Sequence, residues 1–270
     1  MVHRPLRSIS LHAGAAALYE EWLEQIEDKL ANPDCDRYAL CRDVLFNLHF
    51  PDLDDYQELL DDPEVPLTTK TSLLSVDPHN ITLEPEYYDE IDHVRYGQVK
   101  PLLWLWQSFD RSPLGGNVYV GVKLRRILAQ HIFARCGNNF KCFQFVEFSY
   151  GYLMEVGDQV VVHRHVLLDD RGGIALGNRV SIADYSNVYS HSHSITDQVD
   201  VTNSRTVLED GVRLAYHSTV LAGVRVGEEA MVGAGAVVAK DVKPWYLYLG
   251  IPAKPIRVKP TAPAEFSKDF

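Results

Sequence analysis

Positive charge is in short supply. Lysine and arginine total 26 against 37 aspartate and glutamate, a formal net charge of -11 over 270 residues. A protein that grips a nucleic acid backbone carries the opposite balance, so nucleic acid is not an expected partner. Long apolar runs are missing too: none approaches the roughly 20 residues of a membrane span. The start, MVHRPLRSISLHAGAAALYEEW, has early arginines and a short alanine-rich stretch interrupted by His12. It runs into an acidic amphipathic segment, so it reads as a helix start and not as a signal peptide. Cysteine is scarce, with only Cys35, Cys41, Cys136 and Cys142 and no C-x-x-C pair. That argues against a disulfide scaffold and suits a reducing, cytoplasmic setting. Neither a phosphate-cradling P-loop nor a Rossmann fingerprint is present, which leaves kinase and dehydrogenase readings unsupported.

What is present is an ordinary globular balance, 46% hydrophobic and 23% charged. The chain divides near residue 137. In the first region, 1–136, Tyr19, Trp22, Leu23, Ile26 and Leu30 share a helical face. A second helix is predicted over 37–49, with Leu40, Val44, Leu45 and Leu48 inward. Residues 50–115 are rich in proline, aspartate and aromatics without a lasting period, and read as loops and short elements. A third helix is predicted over 118–135, with Leu124, Ile127, Leu128 and Ile132 on one face and Gly137 as its C-cap.

Beyond Gly137 the period changes to six. Branched aliphatics fall at Val156, Val162 and Leu168, then Leu176, Ile182 and Val188, then Leu208, Leu214, Val220, Val226, Val232 and Val238. The step from Leu168 to Leu176 carries two extra residues, within Asp169-Asp170-Arg171-Gly172-Gly173. Four positions after each aliphatic the residue is small or β-branched: Val160, Val166, Val180, Ser186, Ser192, Val212, Ser218, Val224, Ala230, Ala236 and Val242. Six is neither helical nor simple strand alternation. It fits a short strand and a corner, repeated, so that three rows close a triangular coil of about 18 residues and coils stack like neighbouring strands. A β-sandwich with fortuitous spacing is the alternative, but its turns would break the register.

Residues 145–258 resemble the hexapeptide-repeat acyltransferases. Within them, Y-G-Y-L-M-E-V-G-D at 150–158 and V-R-V-G-E-E-A-M-V-G-A-G-A-V-V-A-K-D-V-K-P-W, closed by G-I-P-A-K-P-I-R at 250–257, are similar to the maltose/galactoside O-acetyltransferase branch. The resemblance implies a mainly β fold: a left-handed parallel β-helix over 137–258, preceded by the mostly helical region 1–136 and followed by a tail, 259–270. It also implies a homotrimer and an acyl-CoA-dependent O-acyltransferase. The expected reaction moves acetyl from acetyl-CoA to a hydroxyl of a sugar or related small molecule, with a histidine as general base and no metal.

The family's catalytic histidine ends a repeat row just before a loop. In V-Y-S-H-S-H-S-I, residues 188–195, His193 takes the matching position, and His191, two residues earlier on the same side of an extended strand, is its rival. A neutral imidazole suits removal of a hydroxyl proton during attack on a thioester. Outside that resemblance both are ordinary loop histidines. Where the family has an acceptor-binding asparagine one coil earlier, this chain has V-H-R-H-V, with His163 and His165; the resemblance places these and Asp170 at the acceptor. As a plain reading, His163 and His165 are outward surface residues. The loop 194–207 breaks the period and, in the family, walls the site.

For the donor, the resemblance assigns the pantetheine groove to Ala215, Tyr216, Ala234 and Ala239, with Lys240 following. Between 240 and 259, Lys240, Lys243, Lys254, Arg257 and Lys259 face a single acid, Asp241. Such a patch can hold CoA phosphates, or be a solvated basic tail. Two alternatives share the fold. Serine acetyltransferase fits less well, because its Gly-rich stretch and Asp-Arg-His-Pro loop are missing. A zinc γ-class carbonic anhydrase would draw on His163, His165, His191 or His217, but Tyr216 and Leu221 fall where ligands are expected. A third reading is a β-helix that only assembles or binds a sugar nucleotide.

Overall fold

The computed structural model describes residues 9–53, 55–197 and 199–268. The arginine-containing start at 1–8 and the end of the tail at 269–270 lie outside the described residues. Helix α1 (Ala13–Ala31) turns Leu23, Ile26 and Leu30 inward, as their spacing requires. Helix α2 (Arg37–His49) is N-capped by Asp36, whose carboxylate accepts the N–H groups of Tyr38 and Ala39. It buries Leu40, Cys41, Leu45 and Phe46, while the predicted Val44 and Leu48 sit half-buried at the rim. Short helices α3 (Tyr56–Asp61) and α4 (Leu67–Leu74) follow.

Helix α5 (His93–Asp110) overturns the expectation of loops through 50–115. Its run from Val99 to Trp106 is almost unbrokenly apolar because the helix is enclosed on several sides, and Pro101 sits inside it. Burial all round erases the amphipathic period, and proline argues against a helix until packing overrides it. Helix α6 (Val118–Ile132) buries Leu124, Leu128 and Ile132 as expected but ends at Ile132, with Phe133 as its C-cap. Gly137 is therefore not its cap. It lies at the first corner of the coil, where a Cβ would come within 2.5 Å of the Gly157 carbonyl carbon in the coil above.

A parallel left-handed β-helix of about six turns forms the C-terminal half. Sheet A stacks Arg135–Cys136, Met154–Val156, Ile174–Leu176, Thr206–Leu208 and Arg225–Val226. Sheet B stacks Lys141–Cys142, Val161–Val162, Ser181–Ile182, Arg213–Leu214, Met231–Val232 and Tyr246–Leu249, with Lys254–Val258 added antiparallel at the end. Sheet C stacks Glu147–Phe148, Leu167–Asp169, Asn187–Tyr189, Thr219–Val220 and Val237–Val238. The aliphatics of the six-residue period, from Val156 to Val238, are all 2% exposed or less. The small residues four positions on are buried at the corners, except Ser192, which leaves the coil on a hairpin.

Each coil donates its strand N–H groups to carbonyls of the next: Lys141 to Val160, Val161 to Val180 and Ser181 to Val212. The carbonyls of the first coil have no coil beneath them. Side chains of the helical region take their place as donors: Arg126 Nε to Phe140 O at 2.8 Å, Trp106 Nε1 to Val146 O at 3.2 Å and Arg125 Nη1 to Cys142 O at 3.3 Å. Arg125 and Asp110 form a buried ion pair, and the other Asp110 oxygen accepts the Phe145 N–H at 2.7 Å. One carboxylate thus joins α5, α6 and the first coil.

Removing Asp110 leaves Arg125 buried without its counter-ion and Phe145 N–H without an acceptor. Asp110→Ala is expected to cost roughly 3–5 kcal/mol of stability, read as a fall in the urea midpoint at constant m-value.

Candidate functional site

The coil admits extra residues at one corner, between sheets C and A. Three inserts leave there in succession: 149–153, 170–173 and 190–205. The third is a hairpin in which His191–His193 pairs antiparallel with Val201–Asn203. The coil resumes at Thr206, so the excursion begins and ends earlier than the predicted 194–207. Its base is fastened twice. Ser190 Oγ donates to Asp169 O at 2.6 Å and accepts the Gly172 N–H at 2.8 Å. Thr206 Oγ1 donates to Tyr189 O at 2.6 Å and accepts the Gly223 N–H at 3.0 Å. Gly172 is required here, since a Cβ would stand 2.2 Å from Ser190 O.

These fastenings bring His191 over the end of sheet C. Its Nδ1 bonds Asp169 Oδ2, and Asp169, 2% exposed, accepts Ser149 Oγ on its other oxygen at 2.9 Å. A carboxylate accepts at this contact, which in a neutral imidazole places the proton on Nδ1 and the lone pair on Nε2. The arrangement is an imidazole oriented by a buried carboxylate. His193 lies on the same side of the hairpin strand, exposed, its ring edge-on to His191 with centroids 5.3 Å apart. The structure therefore attaches the carboxylate to His191, the rival, and not to His193, the residue favoured by resemblance. Asp169 and Ser149 were not singled out from sequence. The signal was available: Leu168 and Val188 are register partners, so Asp169 pairs with Tyr189 and shares its face with residue 191.

The helical region braces the same corner. Arg171 pairs with Glu90 and lies 3.9 Å over the Tyr88 ring. Arg95 Nη2 donates to Tyr152 O at 2.7 Å, and Tyr152 Oη accepts the Asp92 N–H at 3.0 Å. Asp170, expected at the acceptor, is closed off from solvent in this chain. It is fully buried and accepts the N–H groups of Tyr150 at 2.7 Å and Leu153 at 3.2 Å, shaping the insert below.

His163 and His165 fall at a different corner, between sheets B and C. His163 stacks on Phe143, while His165 belongs to a column of parallel rings, Phe145, His165, Tyr185 and His217, spaced 4.8–5.0 Å apart. All four residues of the column have positive φ, which the corner imposes. Within one chain His163 and His165 are thus not gathered with His191; His217 shares the column of His165. Ala215, Tyr216 and Ala234 lie at this B–C corner, Tyr216 57% exposed, whereas Ala239 and Lys240 lie exposed on the C–A side. Lys254 and Arg257 stand exposed on the closing antiparallel strand. Lys259 is committed to Glu229, 2.8 Å away.

No protein-family model matches the chain. It is similar to the galactoside O-acetyltransferase of Escherichia coli K12, 25% identical over 140 residues, covering 50% of this chain and 69% of that protein. A putative acetyltransferase of Schizosaccharomyces pombe is 32% identical over 114 residues, covering 41% of this chain and 55% of that one. The solved hexapeptide-repeat acetyltransferase of Vibrio cholerae O1 biovar eltor, complexed with acetyl coenzyme A, superposes with a TM-score of 0.53 at 22% identity, covering 67% of this chain and 98% of that chain. The superposition shows a shared left-handed β-helix fold, and the sequence matches are to proteins named as acetyltransferases.

Burial raises the Asp170 carboxyl to about 6, against the usual value near 4, with neighbouring Asp169 adding to the rise. The folded state then holds a proton that the unfolded chain has lost between about pH 4 and 6. Stability from this group is full below that window and falls as pH rises through it, by about 3 kcal/mol in all. Urea titrations of the native protein and Asp170→Asn across pH 4–7 check this: the native protein's stability, relative to the variant's, is expected to decline with rising pH.

Proposed function

We propose that the chain is an acyl-CoA-dependent O-acyltransferase that moves acetyl from acetyl-CoA to a hydroxyl of a sugar or related small molecule. The observation that carries this reading is the Asp169–His191 pair at the corner where every insert leaves the coil. The kinship with acetyltransferases named above supports the donor and the reaction class.

His191 acts as the base. Nε2 takes the acceptor's hydroxyl proton while the oxygen attacks the thioester carbonyl, and Asp169 stabilises the resulting imidazolium. The tetrahedral intermediate collapses with loss of the CoA thiolate, and the imidazolium returns its proton to that sulfur. The products are the acetyl ester and CoA thiol. Residues Ala215, Tyr216, Ala234 and Ala239 border the donor's pantetheine arm, and Lys240, Lys254 and Arg257 receive its phosphates. The proposal includes a homotrimer, in which the B–C corner of one subunit, with His163 and His165, can approach the C–A corner of its neighbour. Four unpaired cysteines support a reducing, cytoplasmic location.

Release of free thiol from acetyl-CoA in the presence of hydroxylated acceptors tests the assignment. His191→Ala is expected to lower kcat at least ~100-fold. Asp169→Asn, which can no longer hold the correct tautomer as an anion, is expected to lower kcat by a similar order with little change in the KM for acetyl-CoA. His193→Ala is expected to stay within about tenfold of the native enzyme; a larger loss there, with His191→Ala active, transfers the role to His193.

A further inference from the structure

Between sheet C and the segment 83–107 of the helical region lies a cavity of about 210 Å³. Its lining includes Glu84 and Tyr88 on one wall, Tyr96 and Gln107 from α5, and Glu147 and Ser149 at the edge of sheet C. None of Asp169, His191 and His193 lines it, so it is not where the reacting hydroxyl sits. It meets their hydrogen-bonded line only at the far end, where Ser149 Oγ donates to Asp169 at 2.9 Å. Tyr96 is 3% exposed, and its hydroxyl has no hydrogen-bond partner among the described residues. Burial holds that phenol protonated, its pKa far above the usual range. A buried O–H that the fold leaves unpaired is set to donate to an acceptor in the space beside it.

The charge of the lining has one sign. Glu84 and Glu147 are in it, and neither lysine nor arginine is. Glu84 accepts the Tyr88 hydroxyl on one oxygen, which leaves the other. The Glu147 side chain has no hydrogen-bond or ion-pair partner among the described residues. Lys100 and Arg171, which reach the same segment, are committed to Glu86 and Glu90. Leu83, Leu103 and Leu167 supply apolar surface between the carboxylates and Tyr96. At ~30 Å³ for each water-sized group, the volume takes roughly seven non-hydrogen atoms.

We propose that this cavity is a regulatory site, apart from the reaction centre, for a small organic cation: a protonated amine with a short apolar body and an oxygen at its other end. The ammonium donates to Glu84 and Glu147, the apolar body lies against the leucines, and the oxygen accepts from Tyr96. An anion of the same size meets two carboxylates that nothing in the lining offsets. Occupancy is felt at His191 through Ser149. Its hydroxyl can accept from the ammonium while it donates to Asp169, and the polarised line draws charge from Asp169, which then supports the imidazolium less well. A bound amine therefore slows turnover. Binding stands on the cavity alone; the effect on turnover rests on the acyl-transfer reading above.

Calorimetric titration of the full chain with three linear probes tests it: aminobutanol, its diol analogue butanediol and its carboxylate analogue hydroxybutanoate, the hydroxyl terminal in each. Aminobutanol is expected to bind at least ~10-fold more tightly than the diol, and the carboxylate not measurably. Glu147→Gln and Tyr96→Phe are each expected to weaken aminobutanol at least ~5-fold, whereas His191→Ala binds it as the native protein does. Thermal melts of unliganded Tyr96→Phe are expected at or above the native midpoint, because the lost hydroxyl had no partner. With acetyl-CoA and a hydroxylated acceptor both saturating, where competition for the reaction centre does not show, aminobutanol is expected to lower kcat for thiol release at least ~3-fold. Ser149→Ala is expected to bind aminobutanol and lose that response. No binding, equal binding of the diol or the carboxylate, native affinity in Glu147→Gln and Tyr96→Phe, a lower melting midpoint for Tyr96→Phe, or loss of binding in His191→Ala overturns the site. An unchanged kcat, or a response that survives Ser149→Ala, overturns the regulation. The acyl-transfer reading fails differently, by absence of thiol release from acetyl-CoA with any acceptor, and the titrations then decide the site by themselves.

Discussion

Coil-to-coil hydrogen bonding sets the terms for everything else in this protein. Each strand N–H donates to the coil above, so a residue added within a strand would displace every bond after it. Extra length is tolerated only where the chain can bulge away from the prism and return in register. All three inserts use the corner between sheets C and A, and their stacking places Ser149, Asp169 and His191 in one hydrogen-bonded line. The site is a by-product of register: consecutive coils deliver successive members of the line.

The period-six half was legible because its signal is repetitive and each position has one environment. Val162, Ile182, Leu214 and Val232 occupy equivalent places and are buried alike. The helical half gave less. Helices α1 and α6 each have a wet and a dry side, so their sequences show a stripe; α5 is surrounded, and its apolar run carries no phase. Gly137 looked like a helix stop and instead meets Gly157 at a corner where only a hydrogen fits. Glycine marks both situations, and sequence spacing cannot separate them.

The site was half legible, for a related reason. Histidines before a loop are conspicuous, and both 191 and 193 stood out. That His191 meets Asp169, 22 residues earlier, depends on a hairpin whose base is set by Ser190 and Thr206. Asp170, the adjacent acid, is equally suggestive in the sequence but turns inward to three-dimensional work at Tyr150 and Leu153. Asp169 ends its strand and Asp170 opens the insert, so the two carboxylates face different ways: one meets His191 and the other holds the backbone.

The donors that close the first coil have a consequence beyond this molecule. A bare solenoid end is a row of unsatisfied carbonyls matched in pitch to another solenoid's free N–H edge, and such ends invite head-to-tail polymers. Arg125, Arg126 and Trp106 occupy that row, and Pro255 with the basic residues of the last antiparallel strand blunts the other end. The helical region therefore keeps the rod finite: it is what separates a discrete enzyme-sized particle from a fibre.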